Sequence, residues 1–337
     1  MHRLLLSTSV LIALSAPAWA EVAVTGDARM GVLNDFTGDL EFSSRARVSF
    51  ALSGDSDSGL SFGATFRADN AVAANEGLSG RVFITGSFGK LSMGDVDGAA
   101  GAAAGHVSPV GYTGLNEKNE IIYLANGGDL DFDGANFSTY ETSNPSALYE
   151  YAAGDWVFFA SATNPSDGGD FRVARAYSIA ARYVMGDYTF ALGYELLDND
   201  GNDFTGAPLP TMNQLVLGMT ANLGDLTLKA IYTTGTGAVE IFDGANFPTV
   251  EYDFNQLALS ADYALDALTL SAFYTDSSEW AGDYDGFNGA STADNGSKTI
   301  GVGAAYDLGG GAQVKGGFVR DTTRDVEGYD LGVVFAF

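Results

Sequence analysis

Along most of this chain, apolar and polar side chains alternate residue by residue in short runs. From Val22 to Val32 the even positions hold Val22, Val24, Gly26, Ala28, Met30 and Val32, and the odd ones hold Thr25, Asp27, Arg29 and Gly31. In the next run Phe42, Ala46, Val48, Phe50 and Leu52 oppose Ser43, Arg45, Arg47, Ser49 and Ser53. After GDSDSG, Leu60, Phe62, Ala64, Phe66 and Ala68 oppose Ser61, Gly63, Thr65, Arg67 and Asp69. A period of two sends successive side chains to opposite faces, so each run reads as a strand with one apolar and one polar face. Similar runs recur at 81–87, 90–94, 146–152, 155–163, 174–185, 187–197, 212–223, 225–234, 254–264, 267–275, 298–307, 312–320 and 328–337, which makes 16 candidate strands.

The connections fall into two alternating classes. Tight ones carry GDSDSG, FGK, AGD, MGD, LGD, LDA or LGGG, and glycine supplies the positive φ that such turns need. Long polar ones lie at 34–39, 70–80, 95–145, 164–173, 198–211, 235–253, 276–297 and 321–327. Short turns at one end and long loops at the other are the pattern of an outer-membrane barrel. The stretch from Asp95 to Pro145 stands apart because it runs about 50 residues with no sustained period, and a segment like that is usually functional. It is expected to fold into the bore and set what passes, with its alanine-glycine start forming a short helix.

Residues 1–20 are expected to be a cleaved signal peptide. His2 and Arg3 precede an apolar run from Leu4 to Leu14, and Ala18-Trp19-Ala20 is a small-x-small cleavage site. The domain proper would then be 21–337. Lys and Arg number 16 against 43 Asp and Glu, a formal charge of −27, which repels the phosphates of nucleic acid. There is no cysteine, so no disulfide holds the exported chain together. Past the leader no apolar stretch reaches the ~18 residues of a membrane helix, whereas a membrane strand needs only about ten alternating residues.

The polar face decides between a soluble and a membrane barrel. It carries Arg29, Arg45, Arg47, Arg67, Lys229 and Lys315. A closed barrel of about 16 strands leaves an aqueous channel that solvates such charges, while the apolar face meets lipid. Tyr183, Tyr188, Tyr194, Tyr232, Tyr263, Tyr274, Tyr306, Phe335 and Phe337 sit near run ends on the apolar parity, where girdles at the two interfaces would fall. The fold expected is therefore all-β, a 16-stranded antiparallel transmembrane barrel with a long inward-folded third loop.

The segments GDARMG (26–31), FSSRARV (42–48), DSGLSFGA (57–64), FGKLSMGD (88–95), VGY (110–112), YDLGGGA (306–312) and the terminal Phe337 resemble the trimeric general-diffusion porins of the outer membrane, especially those of purple photosynthetic bacteria. The match is strongest over 21–112 and 298–337; elsewhere it is one of architecture. The resemblance implies a homotrimer in the outer membrane, a passive water-filled channel for small hydrophilic solutes and ions, and a constriction with basic residues facing an acidic loop. Carried onto this sequence, the basic wall is Arg29, Arg45, Arg47, Arg67 and Arg81, and the acidic side is Asp95, Asp97, Glu117 and Glu120. The segment GGDLDFDGANF departs from the family pattern.

Asp129, Asp131 and Asp133 followed by Gly134 read D-x-D-x-D-G, the opening of a calcium loop. The twelfth position is Tyr140, with Glu141 one residue late, and no helices flank it, so this is not an EF-hand. A looser Ca²⁺ site at Asp129, Asp131, Asp133 and Glu141 stays open, and no cofactor is required. FDGANF occurs at 132–137 and again at 242–247 without a functional account. Only His2 and His106 exist, too few for a zinc site and a poor basis for a serine triad. Two alternatives remain beside transport: a membrane-barrel enzyme, and a soluble exported β-sandwich that binds a ligand.

Overall fold

A computed structural model describes residues 21–36, 38–69, 80–125, 146–163, 172–201, 210–240, 249–277 and 297–337. The expected leader, Asp129, Asp131, Asp133, Glu141 and both FDGANF copies lie outside the described residues. The strands are, in order, β1 (Glu21–Asn34), β2 (Glu41–Asp55), β3 (Ser61–Asp69), β4 (Arg81–Gly86), β5 (Gly89–Gly94), β6 (Ser146–Ala153), β7 (Trp156–Thr163), β8 (Arg172–Met185), β9 (Tyr188–Gly201), β10 (Met212–Leu223), β11 (Leu226–Glu240), β12 (Thr249–Leu265), β13 (Leu268–Ser277), β14 (Ser297–Gly309), β15 (Ala312–Asp321) and β16 (Val326–Ala336). Each pairs antiparallel with its sequence neighbour, and β16 returns to β1 to close the barrel. Closure removes both sheet edges.

The alternation decides which way the barrel faces. Outward stand Val24, Phe66, Ile179, Leu192, Leu217 and Leu331, all exposed, with Phe42 at 95 %. A continuous apolar exterior of this kind belongs against hydrocarbon rather than water. Tyr188, Tyr263, Tyr306 and Phe337 lie exposed near the short-turn rim, and Trp156 packs on Tyr183 with ring centroids 4.5 Å apart, as an interfacial girdle requires. No helix of the described residues is long and apolar enough to cross a membrane; the strands cross it.

All sixteen strands expected from alternation are present, and several extend further, β11 and β12 the most. β11 runs to Glu240 and β12 begins at Thr249, with Val239 opposite Val250, whereas alternation stops at Thr234 and resumes at Phe254. Beyond the apolar band both faces of a strand meet water, so the hydropathy period disappears while backbone pairing continues.

The buried core is not in the middle of the barrel. It lies between the inserted loop and the inner wall, where Val96, Ala99, Ala100, Val107, Val110, Leu115, Ile121 and Tyr123 meet Phe159, Val216, Ile231, Ala258, Phe273 and Val319. Where the loop docks, the inner parity therefore carries apolar residues among buried polar ones such as Ser178, Glu195 and Gln214.

Candidate functional site: the inserted loop and the arginine wall

The loop leaves β5 at Gly94, and Asp95 donates its backbone N–H to the Gly80 carbonyl at 2.9 Å. A six-residue helix, α1 (Ala99–Ala104), follows. Its N-cap, Gly98, offers no side chain, and two serines of the wall take over that role. Ala99 N–H donates to Ser161 Oγ at 2.8 Å, and Ala100 N–H donates to Ser178 Oγ at 3.0 Å. Small residues let the helix lie flat on the wall. A Cβ at Gly193 would stand 2.6 Å from Ala100 Cβ, and one at Gly218 would stand 3.1 Å from Ala104 Cβ. Gly193→Val is therefore expected to push α1 off the wall at a cost of about 1–3 kcal/mol, seen as a lowered thermal midpoint in detergent; an unchanged midpoint would contradict this packing.

Farther along, Ser108 Oγ donates to Asp262 Oδ2 at 2.5 Å, and Asp262 Oδ1 accepts from Ser271 Oγ at 2.6 Å. The chain then turns at Leu115, Asn116 and Glu117, three successive left-handed residues with φ of 47°, 56° and 53°. Single left-handed residues are common enough, but three in a row hold the backbone against its ordinary preference. Leu115, fully buried, anchors the turn, and Glu117 is left exposed.

The return arm is stitched to the wall by three side chains. Leu124 N–H donates to Glu195 Oε2 at 2.7 Å and to Gln214 Oε1 at 3.2 Å. Ile122 N–H donates to Gln256 Oε1 at 3.1 Å, and the Ile122 carbonyl accepts from Gln214 Nε2 at 2.9 Å and Gln256 Nε2 at 3.2 Å. Each satisfied backbone group removes an unpaired-polar penalty of about 1–3 kcal/mol. Glu195 and Gln214 are fully buried, so these residues hold the loop and do not line the water path.

The expected basic residues share one inner face of β1–β4. Arg29 stands opposite Arg45, Asp27 opposite Arg47, Ser49 opposite Arg67 and Thr65 opposite Arg81. Arg45 Nη2 pairs with Asp27 Oδ1 at 3.2 Å, and Arg81 Nε donates to Thr65 Oγ1 at 3.2 Å. Arg29 reaches the loop: its Nη1 donates to the Thr113 carbonyl at 3.0 Å and the Tyr112 carbonyl at 3.3 Å.

On the loop, Asp95, Asp97, Glu117 and Glu120 are all exposed. Burial of one side, then the charges of Glu117 and Asp97, push the Glu120 carboxyl up to about 7. Burial pushes the His106 imidazole below its usual value, with the Lys229 ammonium acting the same way and the Asp97 and Glu117 charges opposing it. His106 Nδ1 accepts from Ile121 N–H at 3.1 Å, which leaves Nε2 to carry the proton, 3.8 Å from Glu120 Oε2. The distance alone suggests an ion pair. Both groups are pushed toward their neutral forms, however, so the contact is not a full ion pair at neutral pH, where Glu120 is partly ionised and His106 is held toward its neutral form.

An outward-apolar closed barrel with a loop fixed across its interior defines an outer-membrane channel. The Gram-negative porin family matches residues 7–326, and the chain belongs to that family. It is 38 % identical over 333 residues to a porin of Rhodobacter capsulatus, covering 94 % of this chain and 100 % of that protein. A refined porin structure superposes with a TM-score of 0.76 at 35 % identity, over 94 % of this chain and 100 % of that one. The OmpF of Salmonella typhi in complex with daunomycin shares the fold alone, with a TM-score of 0.64 at 12 % identity over 94 % of this chain and 97 % of that one. The protein is an outer-membrane porin, a channel.

Sequence reasoning missed Glu195, Gln214, Gln256, Asp262 and Asp330 as loop anchors. Their one visible signal was a polar side chain on the inner parity, which pore-lining residues also have.

Proposed function

We propose that the bore is a charged constriction for small hydrophilic solutes and ions. Arg45, Arg47, Arg67 and Arg81 form one wall, with Arg29 shared between wall and loop, and Asp95, Asp97, Glu117 and Glu120 form the other. The observation that carries this reading is the placement of five guanidinium side chains on one inner face of four consecutive strands, while the loop acids stand exposed. Opposed charges across narrow water make a transverse field. Polar solutes orient in it, and apolar ones must disturb ordered water and are retarded. Charged linings and bore size select without a binding pocket.

The acidic balance of the whole chain favours cations, and the arginine wall partly offsets it. Weak cation selectivity is the expected net result. A reversal potential measured across a salt gradient in a planar bilayer tests it, and anion selectivity would overturn the balance proposed here.

The functional unit is proposed to be a homotrimer in lipid, the closed cyclic arrangement that suits a barrel with an apolar exterior. Conductance steps arriving in threes are expected, and independent single steps would count against it. Cleavage after Ala20 is expected, so N-terminal sequencing of the purified protein should begin at Glu21. Passive flow requires no cofactor. A loose Ca²⁺ site at Asp129, Asp131, Asp133 and Glu141 follows from ligand type, and calorimetric titration with Ca²⁺ giving no heat would dismiss it.

A further inference from the structure

We propose that Asp330 and Arg29 are positioning residues which grip Thr113 from opposite sides and thereby fix the bore's width; this rests on the reading of the loop as the narrowing element. The residues from Val110 to Thr113 cross the inner face of β14, β15 and β16. There the wall is floored by glycine. A Cβ at Gly317 would lie 2.4 Å from Gly111 N, one at Gly303 would lie 2.9 Å from Val110 Cβ, and one at Gly332 would lie 2.9 Å from Tyr112 Cδ1. Gly303 faces Gly317, and Gly317 faces Asp330, so a side-chain-free row across two strands ends in one carboxylate.

That carboxylate is 5 % exposed. Its Oδ2 accepts from Thr113 N–H at 2.8 Å and from Thr113 Oγ1 at 2.6 Å. Against it lies Gly111 at φ +78°, where a Cβ would fall 2.3 Å from Asp330 Oδ1. Arg29 Nη1 takes the other end of the same residue, donating to the Thr113 carbonyl at 3.0 Å, while its Cζ lies 5.9 Å from the centroid of the Tyr112 ring. Every hydrogen-bonding group of Thr113 is thus engaged. Its N–H and hydroxyl meet an anion, its carbonyl meets a cation, and its Oγ1 also accepts from Leu115 N–H at 3.2 Å. Leu115 opens the left-handed turn that carries Glu117. The grip on Thr113 therefore transmits directly to the place where the loop presents a charge to the bore.

A buried, hydrogen-bonded carboxylate could serve barrel closure alone, because Asp330 also stands opposite Leu33 across the β1–β16 seam. Channel properties separate the two roles. Full-length Asp330→Ala and Thr113→Val, purified and inserted into planar bilayers and sugar-loaded liposomes, are expected to show added open-channel noise and to admit larger sugars than the unaltered protein. Asp330→Asn keeps one carbonyl oxygen to accept from Thr113 and is expected to restore most of the quiet state. Thr113→Val removes the hydroxyl but keeps the backbone N–H that donates to Asp330, so the barrel should still fold. Failure of that variant to fold, or unchanged noise and sugar exclusion in both Asp330→Ala and Thr113→Val, would overturn the proposal. The proposed transverse field is read separately, by the reversal potential of arginine-wall variants, so either idea can fail without the other.

Discussion

Glutamate at both Arg45 and Arg47 is expected to make the channel strongly cation-selective. The double change moves four charge units on one wall. A cleft lined by one sign concentrates counter-ions by an order of magnitude or more, so the cation-to-anion permeability ratio should rise about tenfold at low salt. The rise should be smaller than four free charges would give, for a local reason. Asp27 is 3.2 Å from the Arg45 guanidinium and opposite Arg47 in the register. Carboxylates at both positions would crowd it, and like charges that close hold one another partly protonated. Arg45→Gln with Arg47→Gln avoids the crowding and should give a cleaner intermediate shift. Screening falls to about 3 Å at 1 M salt, so the difference between variants should shrink there. A reversal potential that ignores all four substitutions would mean that ions do not pass this wall.

Raising the pH from about 5.5 to about 8.5 should increase cation selectivity in the unaltered protein. His106, held below its ordinary value, gives up its proton first. Glu120, held up to about 7, gives up its proton later. Glu120 adds one negative charge on the loop across this range, and any proton that His106 still carries is lost in the same direction, which favours cations. Glu120→Gln should remove the step near neutrality, and His106→Phe should leave it in place. The same shift has a stability side. Because the folded loop raises the Glu120 value from 4.5 to about 7, its contribution is fully present below 4.5 and is lost as pH rises through about 7. Loop protection against proteases should therefore be greater on the acid side of that window. A selectivity flat across the range would mean that Glu120 and His106 lie away from the ion path.

Most of the barrel was legible because a strand between lipid and water has no freedom in its pattern. Phe66 and Arg67 must face opposite media, and the sequence says so. What alternation could not separate were two kinds of inner polar residue. Arg47 and Gln214 both stand on the inner face, yet Gln214 is fully buried and bonded to the loop backbone, and Arg47 is partly exposed. Arg29 also read as lining, and its contacts with the carbonyls of Tyr112 and Thr113 depend on a chain separation no local pattern encodes. Inward Phe159, Ile231 and Phe273 break the polar parity of the inner face. They are the floor on which the loop's apolar residues rest. The helix α1 was readable from AAGAAA because alanine needs little else to turn helical, but the serines that cap it sit on other strands.

The seam between β1 and β16 carries a consequence for biogenesis. Phe337 and Gly26 exchange both backbone hydrogen bonds, at 2.8 and 3.1 Å, and the ring is shut only by residues some 300 positions apart in the order of synthesis. Nascent intermediates that lack the final segment would display two bare ribbons to any partner chain. The ring can therefore shut only after the final segment has been delivered.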